Sequence, residues 1–149
     1  MPALLITPAS TSTVVSQPDP VEKALFGVDI LFNDDLQVTA SGDYATIEGL
    51  ASLRQAIFLR MITTPGEYAP FPNFGAGLMR FVKKRATKSD RDALRQTIIE
   101  QLTQEERIQK VVDVVVESLT SGNLPGVKIT VKVQALGREN SFAFTQFSS

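Results

Sequence analysis

The residue types that could do acid–base chemistry in this chain are carboxylates, Glu48, Glu67, Glu105 and Glu106 among them. Two carboxyls flanking a sugar bond suffice for glycan hydrolysis. The chain has no His and no Cys. That removes the commonest general base near neutral pH and the commonest metal ligand. It also removes disulfides, thiolate nucleophiles and Cys-ligated metals. The spacing of the acids singles out no pair, so they read as solvated or ion-paired, and a carboxylate-based peptidoglycan hydrolase is the alternative reading.

Other candidate motifs have bland readings beside the functional ones. Asn33-Asp34-Asp35 lacks the spaced acids and terminal Glu of a calcium loop and reads as a turn. Lys83-Lys84-Arg85 reads as a helix end favoured by the dipole, with nucleic-acid contact as the other reading. The glycines of NFGAGL are not followed by Gly-Lys-Ser/Thr, so they form no phosphate loop. Glu105-Glu106-Arg107 stands where a helical pattern gives way to a strand pattern. An Arg there can cap helix carbonyls or fork onto a carboxylate. No cofactor and no metal is expected.

The composition limits the partners. Lys and Arg number 15 and Asp and Glu 16, a formal charge of −1. A dedicated binder of nucleic acid or of an anionic membrane needs a clustered basic excess. Apolar residues make up 43% of 149 residues, enough for a real core in one domain. The first residues show no basic, then apolar, signal-peptide pattern, and no run of about 18 apolar residues could span a bilayer. Folding in a cytoplasm is expected.

Residues 1–22, rich in Ser, Thr and Pro, read as an extended N-terminal arm that either stays flexible or orders on a partner through Leu4, Leu5, Ile6, Val14 and Val15. Residues 23–149 read as one domain. Val28, Ile30 and Phe32 alternate as a strand, and Leu36 and Val38 start a second extended piece. In LASLRQAIFLRMITT, Leu50, Leu53, Ile57 and Met61 form a helical stripe, with Arg54 and Arg60 off it. Pro65-Gly66 ends that helix. GLMRFVKKR predicts a short helix with Leu78, Phe81 and Val82 inward. Ser89 three residues before Asp92 has the capping-box spacing for a helix over 90–104, with Leu94, Ile98 and Leu102 on one face and Arg91 and Arg95 solvated. The period then changes. Val112, Val114 and Val116 share one side of a strand, SGNLPG turns, and Val127, Ile129, Val131 and Val133 alternate inward. SFAFTQF is the last strand. The expected fold class is α+β, three helices on one face of a small, mainly antiparallel sheet with a C-terminal three-stranded meander.

TTPGEYAPFPNFGAGL interrupts the helical patterns with Pro, Gly and aromatics. Tyr68, Phe71 and Phe74, if buried, would lock the flanking helices at a fixed angle. GVDILF, a GDYATIEG turn, SLRQAIFLRMITTPGEY, PNFGAGL, then EER and a valine strand resemble, in that order, the baseplate-wedge or sheath-initiator family of contractile phage tails and related injection machines. It is the family of the T-even "lysozyme-like" baseplate component. The resemblance covers about residues 27–135. The family carries a Glu-Pro-Arg triplet before its first meander strand; Glu105 and Arg107 match its ends, and Glu106 stands in place of the proline.

The resemblance implies a structural, non-enzymatic role. Such proteins sit in the virion tail baseplate, assembled in the host cytoplasm, in multiple copies with sixfold arrangement about the tail axis. The implied partners are baseplate wedge proteins, the tail sheath subunit, and tail tube or hub proteins, with no nucleic acid and no membrane. Glu105 and Arg107 are the implied partner-binding residues. The C-terminal strand, with Phe142, Phe144 and Phe147, lacks charge and Pro and reads as a sheet edge able to take a sheath strand.

Overall fold

In the computed structural model, residues 5–8, 20–33, 35–81, 85–121, 124–138 and 141–148 are described. The chain divides into two compact units, one formed by residues 13–58 and the other by residues 1–12 with 59–149.

The smaller unit opens with helix α1, Pro20–Phe26, which begins on a proline at a position where a missing N–H costs nothing. Short extended pieces follow: β2, Val28–Ile30; β3, Phe32–Asn33; β4, Asp35–Leu36; and β5, Thr46–Glu48. (β1 belongs to the other unit.) They pair antiparallel as β2 with β5 and β3 with β4. Helix α2, Leu50–Ile62, then starts; of the expected stripe, Leu53, Ile57 and Met61 are buried and Leu50, at the helix start, is half-buried. The Gln55 side chain fastens the strands: Oε1 accepts from Phe32 N at 2.9 Å and Nε2 donates to Ile30 O at 2.8 Å.

The larger unit is built on one antiparallel sheet in the order β1-β8-β7-β6. Its strands are β1, Leu5–Pro8; β6, Ile108–Ser121; β7, Leu124–Ala135; and β8, Ser141–Ser148. On β7, Val127, Ile129, Val131 and Val133 are fully buried, as the alternation requires, while Lys132 is exposed. Helix α3, Lys88–Thr103, packs against β6 and buries Leu94, Ile98, Gln101 and Leu102.

Mixed helix and antiparallel sheet are therefore present, with several differences from the expected arrangement. The extended pieces of residues 28–48 form separate two-stranded sheets, and the C-terminal strands gain a fourth member, β1. The segment after NFGAG is a single 3-10 turn, Leu78–Phe81, with Leu78 buried; Val82, Lys83 and Lys84 lie outside the described residues. The α3 cap is Thr87, not Ser89. Its hydroxyl accepts from Asp90 N and the Asp90 carboxylate accepts from Thr87 N, so the capping box sits two residues early. Leu124, Pro125 and Gly126 belong to strand β7 rather than to a turn. Val112 is exposed because the β6–β7 register shifts between Val111 and Asp113, which breaks the alternation there. Among the described residues, no helix is long and apolar enough to cross a membrane.

Candidate functional site

The Pro- and Gly-rich segment after α2 returns onto that helix through backbone bonds. Ala76 N donates to Arg60 O and Gly77 N to Thr63 O. Gly75 has φ +109°, and a Cβ there would lie 2.0 Å from Thr63 O, so only glycine fits this approach. The segment is held from the other side by Gln101 of α3, which bonds Gly75 N and Asn73 O. Glu67 is exposed, and its carboxylate bends back on its own loop to accept from Thr64 N.

The aromatics do not provide the expected lock. Tyr68 is 48% and Phe71 61% exposed. Their ring centroids lie 5.7 Å apart, and Tyr68 meets Phe74 edge-on at 6.1 Å. Backbone bonds and the Gln101 amide hold the loop instead, which leaves the rings at the mouth of a cleft. That cleft, about 450 Å³, is lined by Arg60, Tyr68, Pro70, Phe71, Pro72, Asn73, Phe74 and Gln104.

Arg60 forms the charged wall of the cleft. Its side chain is mostly buried, and its guanidinium carbon sits 4.5 Å above the centre of the Phe74 ring. Its Nη2 lies 3.6 Å from Glu105 Oε2. Arg107 reaches the same carboxylate as a fork, Nε to Oε1 at 2.7 Å and Nη2 to Oε2 at 3.2 Å. Two guanidiniums thus share one buried carboxylate, leaving a local excess of one positive charge. Burial alone would raise the Glu105 carboxyl. The hydrogen bonds and charge of Arg107, with Arg60 behind them, outweigh it and hold the group below the usual carboxylate range. Burial lowers the Arg60 guanidinium, and Glu105 offsets part of that.

The Glu105-Glu106-Arg107 turn forms with Glu106 where a proline would also fit. Ile108 N donates to Glu105 O at 3.1 Å, so Glu105 to Ile108 close a β-turn with Glu106 at its second position. Arg107 N also donates to Glu105 Oε1, at 3.3 Å. Glu106 itself is exposed.

The other sequence candidates lie apart from this cluster. Glu48 pairs with Lys23 at 2.9 Å in the smaller unit. Phe142, Phe144 and Phe147 pair in register with Val133, Val131 and Lys128, and their side chains lie outside the described residues. The expected edge at β8 is covered: Leu5 pairs with Phe147 and Pro8 with Phe144, so β8 is an interior strand. Asp34 and Lys83-Lys84 fall outside the described residues. Among the described residues no group of His, Cys, Asp or Glu is arranged to hold a metal ion.

Arg60 and Gln101 are the site residues that sequence reasoning missed. Gln101 carried a signal, since it falls three residues after Ile98 on the apolar face of α3. Arg60 carried none, because its partners Phe74 and Glu105 are distant in sequence.

No protein-family model and no curated protein matches the chain. The fold matches a chain in the electron cryomicroscopy structure, six-fold symmetrised, of the baseplate of the anti-feeding prophage. The TM-score is 0.64 at 17% sequence identity, over 80% of this chain and 94% of that one. At that identity the likeness is one of fold.

Proposed function

We propose that this chain is a structural component of the baseplate of a contractile injection machine. In this reading it links wedge proteins and the tube to the first sheath ring and initiates sheath assembly. The observation that carries the reading is the shared fold, which spans nearly the whole of a chain from such a baseplate. The resemblance of TTPGEY, PNFGAGL and Glu105-Glu106-Arg107 to the sheath-initiator family supports the finer assignment.

Glu105 and Arg107 are proposed as partner-binding residues. Glu105 acts through position: it holds Arg60 and Arg107 together, and the excess positive charge invites a partner carboxylate. A glycosidase's general acid needs a raised pKa, and Glu105 is held the other way, so Glu105 does not suit that one role. Phe142, Phe144 and Phe147 are proposed to contact the sheath subunit. Because β1 occupies that edge in the isolated chain, a sheath strand would take the place of Leu5–Pro8.

The test is assembly of sheath on tubes and baseplates from the same machine, with and without this chain. Sheath polymerisation only when the chain is present supports the reading. Normal sheath without it, or clearing of peptidoglycan in a zymogram of the pure protein, overturns it.

A further inference from the structure

The extended pieces of residues 28–48 form two short antiparallel pairs and one isolated bridge, and each of the three carries exposed large apolar side chains. Val28 pairs with Glu48 and Ile30 with Thr46. Phe32 pairs with Leu36, and Val38 with Tyr44. Leu31 N donates to Ala45 O and Ala45 N to Gln37 O, which ties the extended pieces together about Ala45. Paired residues share a face, and so do residues two apart on one strand. Val28 and Ile30 therefore share one face of β2–β5, Phe32 and Leu36 one face of β3–β4, and Val38 and Tyr44 one side of their bridge. Each is between 37% and 62% exposed. Of the residues that alternate with them, Leu31, Ala45 and Ile47 are less exposed, and the polar Asp29 and Gln37 are exposed.

This inverts the usual half-buried sheet, whose solvent face is polar. Exposed apolar surface of this kind marks an interaction site. Gln55 bonds the backbone of Ile30 and Phe32 at the strand edge and so fixes these two residues.

The charge around the face says what fits it. Residues 13–58 carry seven acids against two bases, a net charge of −5, whereas the rest of the chain carries nine acids against 13 bases. Glu48 lies on the apolar face opposite Val28, and one of the two bases, Lys23, is paired with it. Asp35 and Asp43 are exposed too, but as chain neighbours of Leu36 and Tyr44 they alternate to the other side, so they add to the charge of the unit and not to the face itself. Association is favoured when potentials of opposite sign meet.

We propose that this face docks a partner protein whose contact surface has an apolar centre rimmed by Lys and Arg. This goes beyond the baseplate reading and involves a surface other than the Glu105 cluster. The experiment uses the full chain and two synthetic amphipathic helical peptides. Both have the same Leu face; one has Lys at the remaining positions, the other Glu. Binding is read by fluorescence anisotropy.

The Lys peptide should bind about tenfold tighter than the Glu peptide, and its advantage should shrink as salt rises from about 0.05 to 0.5 M. Glu48→Gln, on the same face as Val28, should narrow that advantage. Ile30→Ser with Tyr44→Ser should abolish binding of both peptides at an unchanged melt, with Val38→Ser as the substitute if the double variant does not fold. Equal binding of the two peptides overturns the proposal, as does Lys-peptide binding that survives the serine variants. Sedimentation showing that this face joins two copies of the chain also overturns it. No baseplate component enters the experiment, so its failure and failure of the baseplate reading are distinct.

Discussion

The side-chain amide of Gln101 grips Gly75: Oε1 accepts from Gly75 N at 2.9 Å, while Nε2 donates to Asn73 O at 2.8 Å. The whole Pro- and Gly-rich segment is therefore pinned to α3 by one neutral polar residue. Gln101→Leu keeps the volume and leaves one buried donor and one acceptor unpaired. The expected loss is roughly 1–3 kcal/mol in urea denaturation, the cost of one buried orphaned group, since Asn73 is exposed and water can take over its carbonyl. Gly75→Ala should cost at least as much, because its Cβ would meet the Thr63 carbonyl. An alanine variant as stable as the parent would show that the loop has another way to sit.

Much of the fold was legible because periodicity reports burial directly. Leu53, Ile57 and Met61, and Val127 through Val133 in alternation, lie where their spacing put them. What escaped depends on features that periodicity does not encode. Thr87–Asp90 and Ser89–Asp92 are overlapping cap signatures, and only the backbone chooses between them. A bulge at Val111–Asp113 exposes Val112 against its pattern. The pairing of β1 with β8 joins the two ends of the chain, and nothing local announces it. Within the site, Glu105 and Arg107 could be chosen from the triplet, but Arg60 needed the fold.

Glu105 should make stability depend on pH in the acid range. Its folded-state carboxyl is depressed below the unfolded value. Its contribution is therefore fully present above the unfolded pKa, about 4.3, and is lost as pH falls through the lower folded value. Glu105→Gln is expected to cost roughly 2–3 kcal/mol at pH 7. The gap between parent and variant should close progressively below about pH 4.3, measured by urea titrations at several pH values. A gap that stays constant down to about pH 2 would contradict the ionised Arg60–Glu105–Arg107 arrangement.

Glu106 occupies the second position of the turn closed by Ile108 N and Glu105 O. Proline is favoured there because its ring presets φ. The hydrogen bonds that close the turn do not use the Glu106 N–H. Glu106→Pro should thus stabilise the chain by about 0.4–1 kcal/mol through the unfolded state. In a thermal melt that is an increase of roughly 1–4 °C for a chain of this size. A lower Tm would mean that the glutamate turn has dihedrals a proline cannot adopt.

The outer strand β6 lies at one edge of the sheet and is dense in valine, a combination that invites pairing with other chains. Arg95, expected to be simply solvated, instead reaches from α3 to this strand. Its Nε donates to Val114 O at 2.7 Å, and its Nη2 lies 3.7 Å from Asp113 Oδ1. Two register shifts near the start of the strand blunt the same edge. Arg95→Ala should remove the cover from the Val114 carbonyl at little cost in stability. Both members of the ion pair are about half exposed, so the loss should be at most about 1 kcal/mol. The expected change is in association: faster growth of light scattering and thioflavin fluorescence at elevated temperature, with Tm almost unmoved. Arg95→Lys keeps the charge but not the planar fork, and should fall between the two. If Arg95→Ala lowers Tm by several degrees while the rate of association stays at the parent value, the arginine is a strut between α3 and β6 and not a guard of the edge.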